Sequence, residues 1–509
     1  MTLVWDLRNA VLMTPAFRFP FFSNRLKRVG SQGGGAWLPL VALSLLACPG
    51  CGDDPAAAAA GGQAGYAGNS GAGGGGASSG GSGGGSASGG SSGSASGGSS
   101  GSAGAGGTPS SCSLPSKSAD AVDVTTFGAK GDGKADDTKA IRDAVASLAK
   151  GGTVYLPDGT YLVTPTGCGG TGIQLKSDMT FLMSKGATLK SKPVDCGNYG
   201  VLTLSEVQNV VVAGGTVRGE RAEHLGSGGE WGHGVNLQKV TNVSIIGLTA
   251  KECWGDGIYV GPKGGQSNVS KDVTICGVVA DHNRRCAIAV TSASGVEIID
   301  TTMSGSDGTL PKSGFCGEPN PPDGLVENVV LRKSRMIDNH EAGGYFGGPI
   351  PSITRNNLVE DCVITGNHVH GFKLSGNVGL SGTNGLSGQG FTIKNSLIEN
   401  NGTAEPDPTK RKGLILWNSP GAVVTGNTIK NNRGRGLAFQ AAVDSKVTAN
   451  IFDSNDDAAI YFRWGSKNNS VTGNSCIGTN ADIDGDGSSS QTGNKVESNT
   501  GCTLEAKNL

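Results

Sequence analysis

Beyond residue 120 the chain alternates apolar and polar positions in short runs broken by Gly, Asn and Asp. The stretch 242–260, NVSIIGLTAKECWGDGIYV, shows one copy: an alternating apolar run, a polar corner, and re-entry into a strand through Gly257, Ile258, Tyr259 and Val260. The same frame fits 272–290, 328–346, 356–374, 421–439 and 444–462 without gaps, and partial copies open at 209, 295, 390 and 468. Two strands per frame are predicted. Successive starts from 242 onward lie 23 to 34 residues apart, which places the extra residues in loops at the coil edge. Short period-two strands separated by Gly- and Asn-rich turns, with few helical stretches, predict an all-β fold: a right-handed parallel β-helix, that is, a solenoid.

In a parallel stack, equivalent residues on neighbouring coils lie about 4.8 Å apart, so a column of the frame becomes a physical line. One column reads Cys253, Asn283, Asn339, Asn367, Asn432 and Asn455. Stacked amides can hydrogen-bond along the helix and to the turn backbone, so this line is structural. The next column reads Trp254, Arg284, His340, His368, Arg433 and Asp456. The position before the re-entering strand reads Asp256, Cys286, Ala342, His370, Arg435 and Ala458. Matching one coil backward puts Trp231 over Trp254 and His233 over Asp256.

A solenoid needs an end cap, because its first coil otherwise exposes core and strand edge. The segment 123–163 supplies one. Asp136 and Asp137 can cap a helix whose Ile141, Val145 and Leu148 share a face, and Gly151 and Gly152 stop it before a strand at Thr153–Leu156.

Composition divides the rest. Residues 1–47 carry Arg18, Arg25, Lys27 and Arg28 ahead of an apolar run at 36–47, the shape of an export signal. The following segment, 48–111, is nearly all Gly, Ser and Ala and reads as a disordered tether. The folded domain is then 112–509. Of twelve cysteines, ten lie beyond the Cys48/Cys51 pair; in an exported chain they are expected to form structural bridges rather than a zinc site. A net charge of −1 gives no general attraction to nucleic acid. Near the end, Asp482, Asp484 and Asp486 read as an acidic turn, since Gly493 stands where a calcium loop would have its glutamate.

Two resemblances add to this reading. Leu45-Leu46-Ala47-Cys48 resembles the lipobox of bacterial lipoproteins, which implies lipidation of Cys48, a membrane association through that anchor only, and an exported protein at the cell envelope or surface. The segment DVTTFGAKGDGKADDTKAIRDAVASLAKGGTVYLPDGTYLV at 123–163 is similar to the opening of the pectate lyase superfamily domain in rhamnogalacturonase- and epimerase-like proteins. With the coils included, the resemblance covers about 123–474. It implies an acidic extracellular polysaccharide as ligand, bound by a monomer.

Charged and aromatic residues concentrate between Arg218 and Glu318. Trp231 and Trp254 are expected to form a platform for a sugar ring, and Arg218 and Arg221, with His282 and Glu318, to bind substrate. Lyase chemistry on a uronate needs a base for the proton beside the carboxylate and a cation to neutralise that carboxylate; the resemblance implies Ca2+, or an arginine in its place. Arg284 or Arg285 would be cation or base, His233 a base of suitable pKa, and Glu230 with Asp256 calcium ligands or orienting groups. A hydrolase using Glu230, Asp256 and Glu318 ranks second. Uronan epimerisation ranks third, because the Asp-Pro-His-Glu stretch of mannuronan epimerases is missing after Gly257. A non-catalytic glycan-binding protein is the fourth reading. His340, Glu341, His368 and His370 are expected as exposed turn residues, and 405–412 as a loop overhanging one face.

Overall fold

The computed structural model describes residues 112–320, 323–348, 352–376, 388–478, 480, 482–487 and 491–505. The expected export signal, Cys48 and the Gly/Ser/Ala segment lie outside them.

The described chain is a right-handed parallel β-helix. Three parallel sheets of fifteen, thirteen and thirteen strands run its length, so each coil contributes three strands where the frame predicted two. The apolar run of the frame is two strands, Thr241–Ile246 and Thr249–Lys251, and the re-entering strand is Ile258–Gly261. The hidden break is at Gly247, which is left-handed at φ 58°.

That break belongs to a regular series. Positive φ recurs every five residues at the first, sixth and eleventh frame positions: Asn242, Gly247 and Glu252 in one coil, Asp272, Gly277 and His282 in the next, Asn328, Lys333 and Asp338 further on. Asn, Asp and Gly tolerate this region at low cost, which accounts for their enrichment. Each left-handed residue turns the strand, and the next residue points inward beside unpaired backbone. There the ladders form. At the third bend, Cys253 N donates to Asn283 Oδ1, and Asn339, Asn367, Asn401, Asn432 and Asn455 join one to the next through backbone and side-chain amides at 2.8–3.2 Å. A second line, Asn427–Asn450–Asn474–Asn499, follows the middle bend, and Asn469–Asn494 follows the first. Each buried amide satisfies backbone that the bend leaves unpaired.

The interior is filled by apolar columns, including Phe315, Phe346, Phe372 and Phe391, whose neighbouring ring centroids lie 5.0–6.3 Å apart, and a stacked Phe439–Phe462 pair at 4.5 Å. At the N-terminal end α1, Thr138–Ser147, covers the first coil with Ile141 and Val145 buried, and Leu148 follows as its C-cap. Asp136 caps it by accepting from Thr138 N at 3.0 Å, while Asp137 accepts from Lys130 N and Gly131 N in the preceding loop. Four disulfides join Cys112–Cys276, Cys168–Cys196, Cys286–Cys316 and Cys476–Cys502; Cys253 and Cys362 are buried thiols. The acidic Asp482–Gly485 segment is a strand of the third sheet, not a turn.

Candidate functional site

The chemistry gathers on the outer face of the third sheet. There, register aligns Asn236, Tyr259, Ala289, Cys316, Tyr345 and Lys373 as one outward line on six successive strands. Ala289 and Cys316 are small, and together with Cys286 they form a minor apolar cluster against which Tyr259 and Tyr345 pack. A broad, short-side-chain gap between two tyrosines is thereby built into the sheet.

Arg285 crosses this gap. Its Nη1 lies 3.4 Å from Asp256 Oδ2, its Nη2 donates to Glu318 Oε2 at 3.2 Å, and its Nε is 3.6 Å from Glu230 Oε2 and buried without a hydrogen-bond partner. Asp256 is fully buried and also accepts from Cys286 N at 2.9 Å. Burial alone would raise its pKa, but Arg285, His233 and the Cys286 amide outweigh that and lower it, so Asp256 is the site's anion. Glu318 goes the other way: burial raises its pKa against the opposing pull of Arg285 and Tyr345. Two carboxyl groups sharing one arginine are thus pushed in opposite directions, the pattern that separates an acid from a base. Tyr259 and Tyr345 are raised by burial as well and stay protonated donors.

His233 sits one coil above Asp256, as the columns predict. Its Nδ1 is 3.3 Å from both the Asp256 amide N and Oδ2, and its ring stacks on Tyr259 at 4.6 Å. The Asp256 amide donates to Nδ1, so backbone and carboxylate of Asp256 together fix the ring's orientation. The cluster opens onto a cleft of about 320 Å³ lined by Asn198, Trp231, His233, Asn236, Tyr259, Arg285, Thr291 and Asn320, among others. Trp231 is 40 % exposed at its rim.

Other expected site residues lie elsewhere. Trp254 is not part of a platform with Trp231: His224 stacks on it at 3.8 Å from the insertion before its coil, and Arg284 covers it at 3.8 Å from the coil after. Arg284 therefore holds the insertion, donating to Gly229 O and Trp254 O, and does not join the Asp256 cluster. Arg218 is on the second sheet and forms an ion pair with Glu252 through two nitrogens, at 2.6 and 2.8 Å. Arg221 donates to His282 O and lies 3.7 Å from Asp307. His282 is a left-handed bend residue, exposed and bonded to Asp281. The position between Glu230, Asp256 and Glu318 that a cation would need is taken by the Arg285 guanidinium, and no group of three His, Cys, Asp or Glu among the described residues is arranged to hold a metal. These residues do not fit calcium, because the guanidinium already lies among the carboxyl groups.

The columns passed over Tyr259 and Tyr345, although Tyr259 lies within the template frame. The outward-facing residue of the re-entering strand, two places beyond Gly257, would have found both. Glu220 and His224 lie in the charged stretch between Arg218 and Glu318, outside the columns. Both side chains are buried, with Glu220 accepting from Tyr199 Oη and paired with His224 Nδ1 at 2.9 Å, and they anchor the wall of the cleft. His370, the first residue of the strand His370–Ser375, His368 and Glu341 are half-buried rather than exposed, and His340 is exposed.

Residues 121–307 match the family model described as rhamnogalacturonase A/epimerase, pectate lyase-like, and 360–501 match the right-handed beta helix region model. The two matches agree with the resemblance read from the opening segment. Among curated proteins, the chain is 25% identical over 385 residues to the uncharacterized protein YclG of Bacillus subtilis, covering 63% of this chain and 65% of that one. It is 50% identical over 62 residues to mannuronan C5-epimerase AlgE3 of Azotobacter vinelandii, covering 12% of this chain and 3% of that one. The chain thus spans less than two thirds of either relative. Among solved structures, the A-module of Azotobacter vinelandii mannuronan C-5 epimerase AlgE6 superposes with a TM-score of 0.58 at 18% identity, over 76% of this chain and 99% of that one; the likeness is one of fold.

Proposed function

We propose that this protein is an exported enzyme acting on a uronate-containing polysaccharide, and that it cleaves by β-elimination. The observation that carries the reading is the convergence of His233, Asp256, Arg285, Glu318, Tyr259 and Tyr345 beside the cleft at Trp231. Arg285 presents its guanidinium to the sugar carboxylate, spreading the negative charge that develops when the neighbouring proton leaves, and Glu318, its carboxyl raised by burial, holds that guanidinium in place. His233 takes the C5 proton, with the Asp256 amide and carboxylate orienting the ring. The C4–O4 bond breaks as the C4–C5 double bond forms, and Tyr259 Oη, bonded to Thr291 Oγ1 at 2.8 Å, supplies the proton to O4. Four disulfides suit an oxidising compartment, and lipidation at Cys48 would place the enzyme at the cell envelope.

Incubation with pectic, alginate and glycosaminoglycan substrates, with and without chelator, tests this. A rise in ultraviolet absorbance from unsaturated uronate is expected with at least one, unaffected by chelator. New reducing ends without that rise would overturn elimination in favour of hydrolysis, a reading the geometry disfavours because Asp256 is fully buried. Epimerisation is the second reading, favoured by the local match to AlgE3. It shares the proton removal and returns a proton to the opposite face, so a change in uronate composition without new chain ends would identify it.

A further inference from the structure

The outer face of the third sheet continues past Tyr345 with a different character. Three cation–aromatic pairs follow in order: Lys373 Nζ is 4.3 Å from the Trp417 ring centroid, Arg435 Cζ is 3.5 Å over Tyr461, and Arg463 Cζ is 4.3 Å over Trp464. Register places Lys373 directly beside Tyr345, and aligns His370, Lys412 and Arg435 on three successive strands. Trp417 and Trp464 lie 6.5 Å apart, the second 41 % exposed. The loop 405–412 stands over this stretch, tied down where Ala404 N and Glu405 N donate to His368 O and Arg411 donates to Glu405 O and Pro406 O.

Several buried polar atoms here have no hydrogen-bond partner: His370 Nδ1, Arg435 Nε and Arg435 Nη1. Asp457 Oδ2 lies 3.0 Å from Arg435 Nε but is not aligned to accept from it. Unmet buried donors are costly, and a ligand acceptor that reaches them relieves that cost. Lys412 and Arg435 are themselves buried, Lys412 Nζ donating to Thr409 O at 2.5 Å, so their charges act from behind Lys373 and the tryptophans. Lysine and arginine beside flat aromatic faces are what an anionic sugar chain requires, with its carboxylates on the cations and its ring faces on the tryptophans.

We propose that Lys373, Lys412, Arg435, Trp417 and Trp464 form a second binding stretch for the same polymer, taking carboxylate-bearing sugar units several residues away from the cleft. The proposal rests on the reading that the ligand is a uronate polysaccharide. From the strand of Asp256 to that of Lys412 is five steps, about 24 Å at 4.8 Å per strand, so one extended chain bridges both regions. The stretch then raises affinity for long chains and leaves the chemical step unchanged.

Isothermal titration of the full chain with oligogalacturonates and oligomannuronates, of two lengths that do and do not span both regions, tests this alongside turnover of the matching polymer. Trp417→Ala and Lys373→Gln, each checked for an unchanged thermal midpoint, are expected to weaken binding of the long oligouronate by roughly tenfold or more while leaving the short one and kcat unchanged. Either variant that keeps its melting transition suffices. Wild-type binding and turnover with both variants unaffected would overturn this inference alone. Length-dependent binding lost in the variants without any product would uphold it and overturn the enzymatic reading. No binding of any oligouronate by the wild type would overturn both.

Discussion

The two halves of the third sheet carry similar numbers of charges and use them differently. Around Arg285, three carboxyl groups surround one guanidinium and hold it in a fixed position. Around Lys373 and Arg435 the cations lie against aromatic rings, which stabilise a charge without neutralising it. The first arrangement fixes one buried guanidinium among carboxyl groups; the second sets cations against rings, with Asp457 and Glu341 nearby. The contrast teaches that a polar column along a solenoid is not one site repeated, because strand register sets neighbours while side-chain size and partner charge set the role.

Removing Asp256 tests the contrast most severely. Asp256→Ala leaves Arg285 buried with a broken pair and is expected to cost about 3–5 kcal/mol, read as a lower denaturation midpoint, together with loss of turnover. His233→Ala keeps the Arg285 ion pairs and is expected to change the denaturation midpoint far less than Asp256→Ala while reducing kcat by about 10²–10⁴-fold, the usual worth of a positioned base. Arg284→Ala separates the neighbours: its cation–aromatic contact is worth about 0.5–1 kcal/mol, so kcat should be nearly retained where Arg285→Ala abolishes it.

The smallest effect is in pH. Burial pulls Lys373 down to about 8, with Glu341 opposing. Lys410 and Glu405 of the overhanging loop, and Lys312, face Glu341, while Lys412 and Lys373 itself face His370. Lys373 is charged below that value and neutral above, so long-chain affinity should be full at lower pH and fall as pH rises through about 8. An affinity that is flat across this range, or that rises, would contradict a cationic second stretch.

Much of the fold was legible because the coil repeats a backbone requirement. A left-handed residue every five positions favours Asn, Asp or Gly, an inward amide often follows, and the frame starts found in the sequence are all bend residues. The third strand was missed because Gly247 looks like a small residue inside one alternating run. His233, Asp256, Arg285, Glu230 and Glu318 came together because they follow a corner that register keeps aligned. Arg218, Arg221, Arg284 and His282 did not, since charge density along a sequence says nothing about which of three sheets a side chain faces. Tyr345 and Lys373 depended on pairing across an intervening loop, which no local pattern displays.

The bridge between Cys112 and Cys276 ties the first described residue to a strand 164 positions later. Tension on the chain from its N-terminal side would enter the solenoid at Cys276, sideways and several coils inward, bypassing α1 and the first coils. A pulling force would then have to shear many parallel strands together instead of peeling one coil at a time, and reducing that single bond would turn a shear-loaded body into an unzipping one.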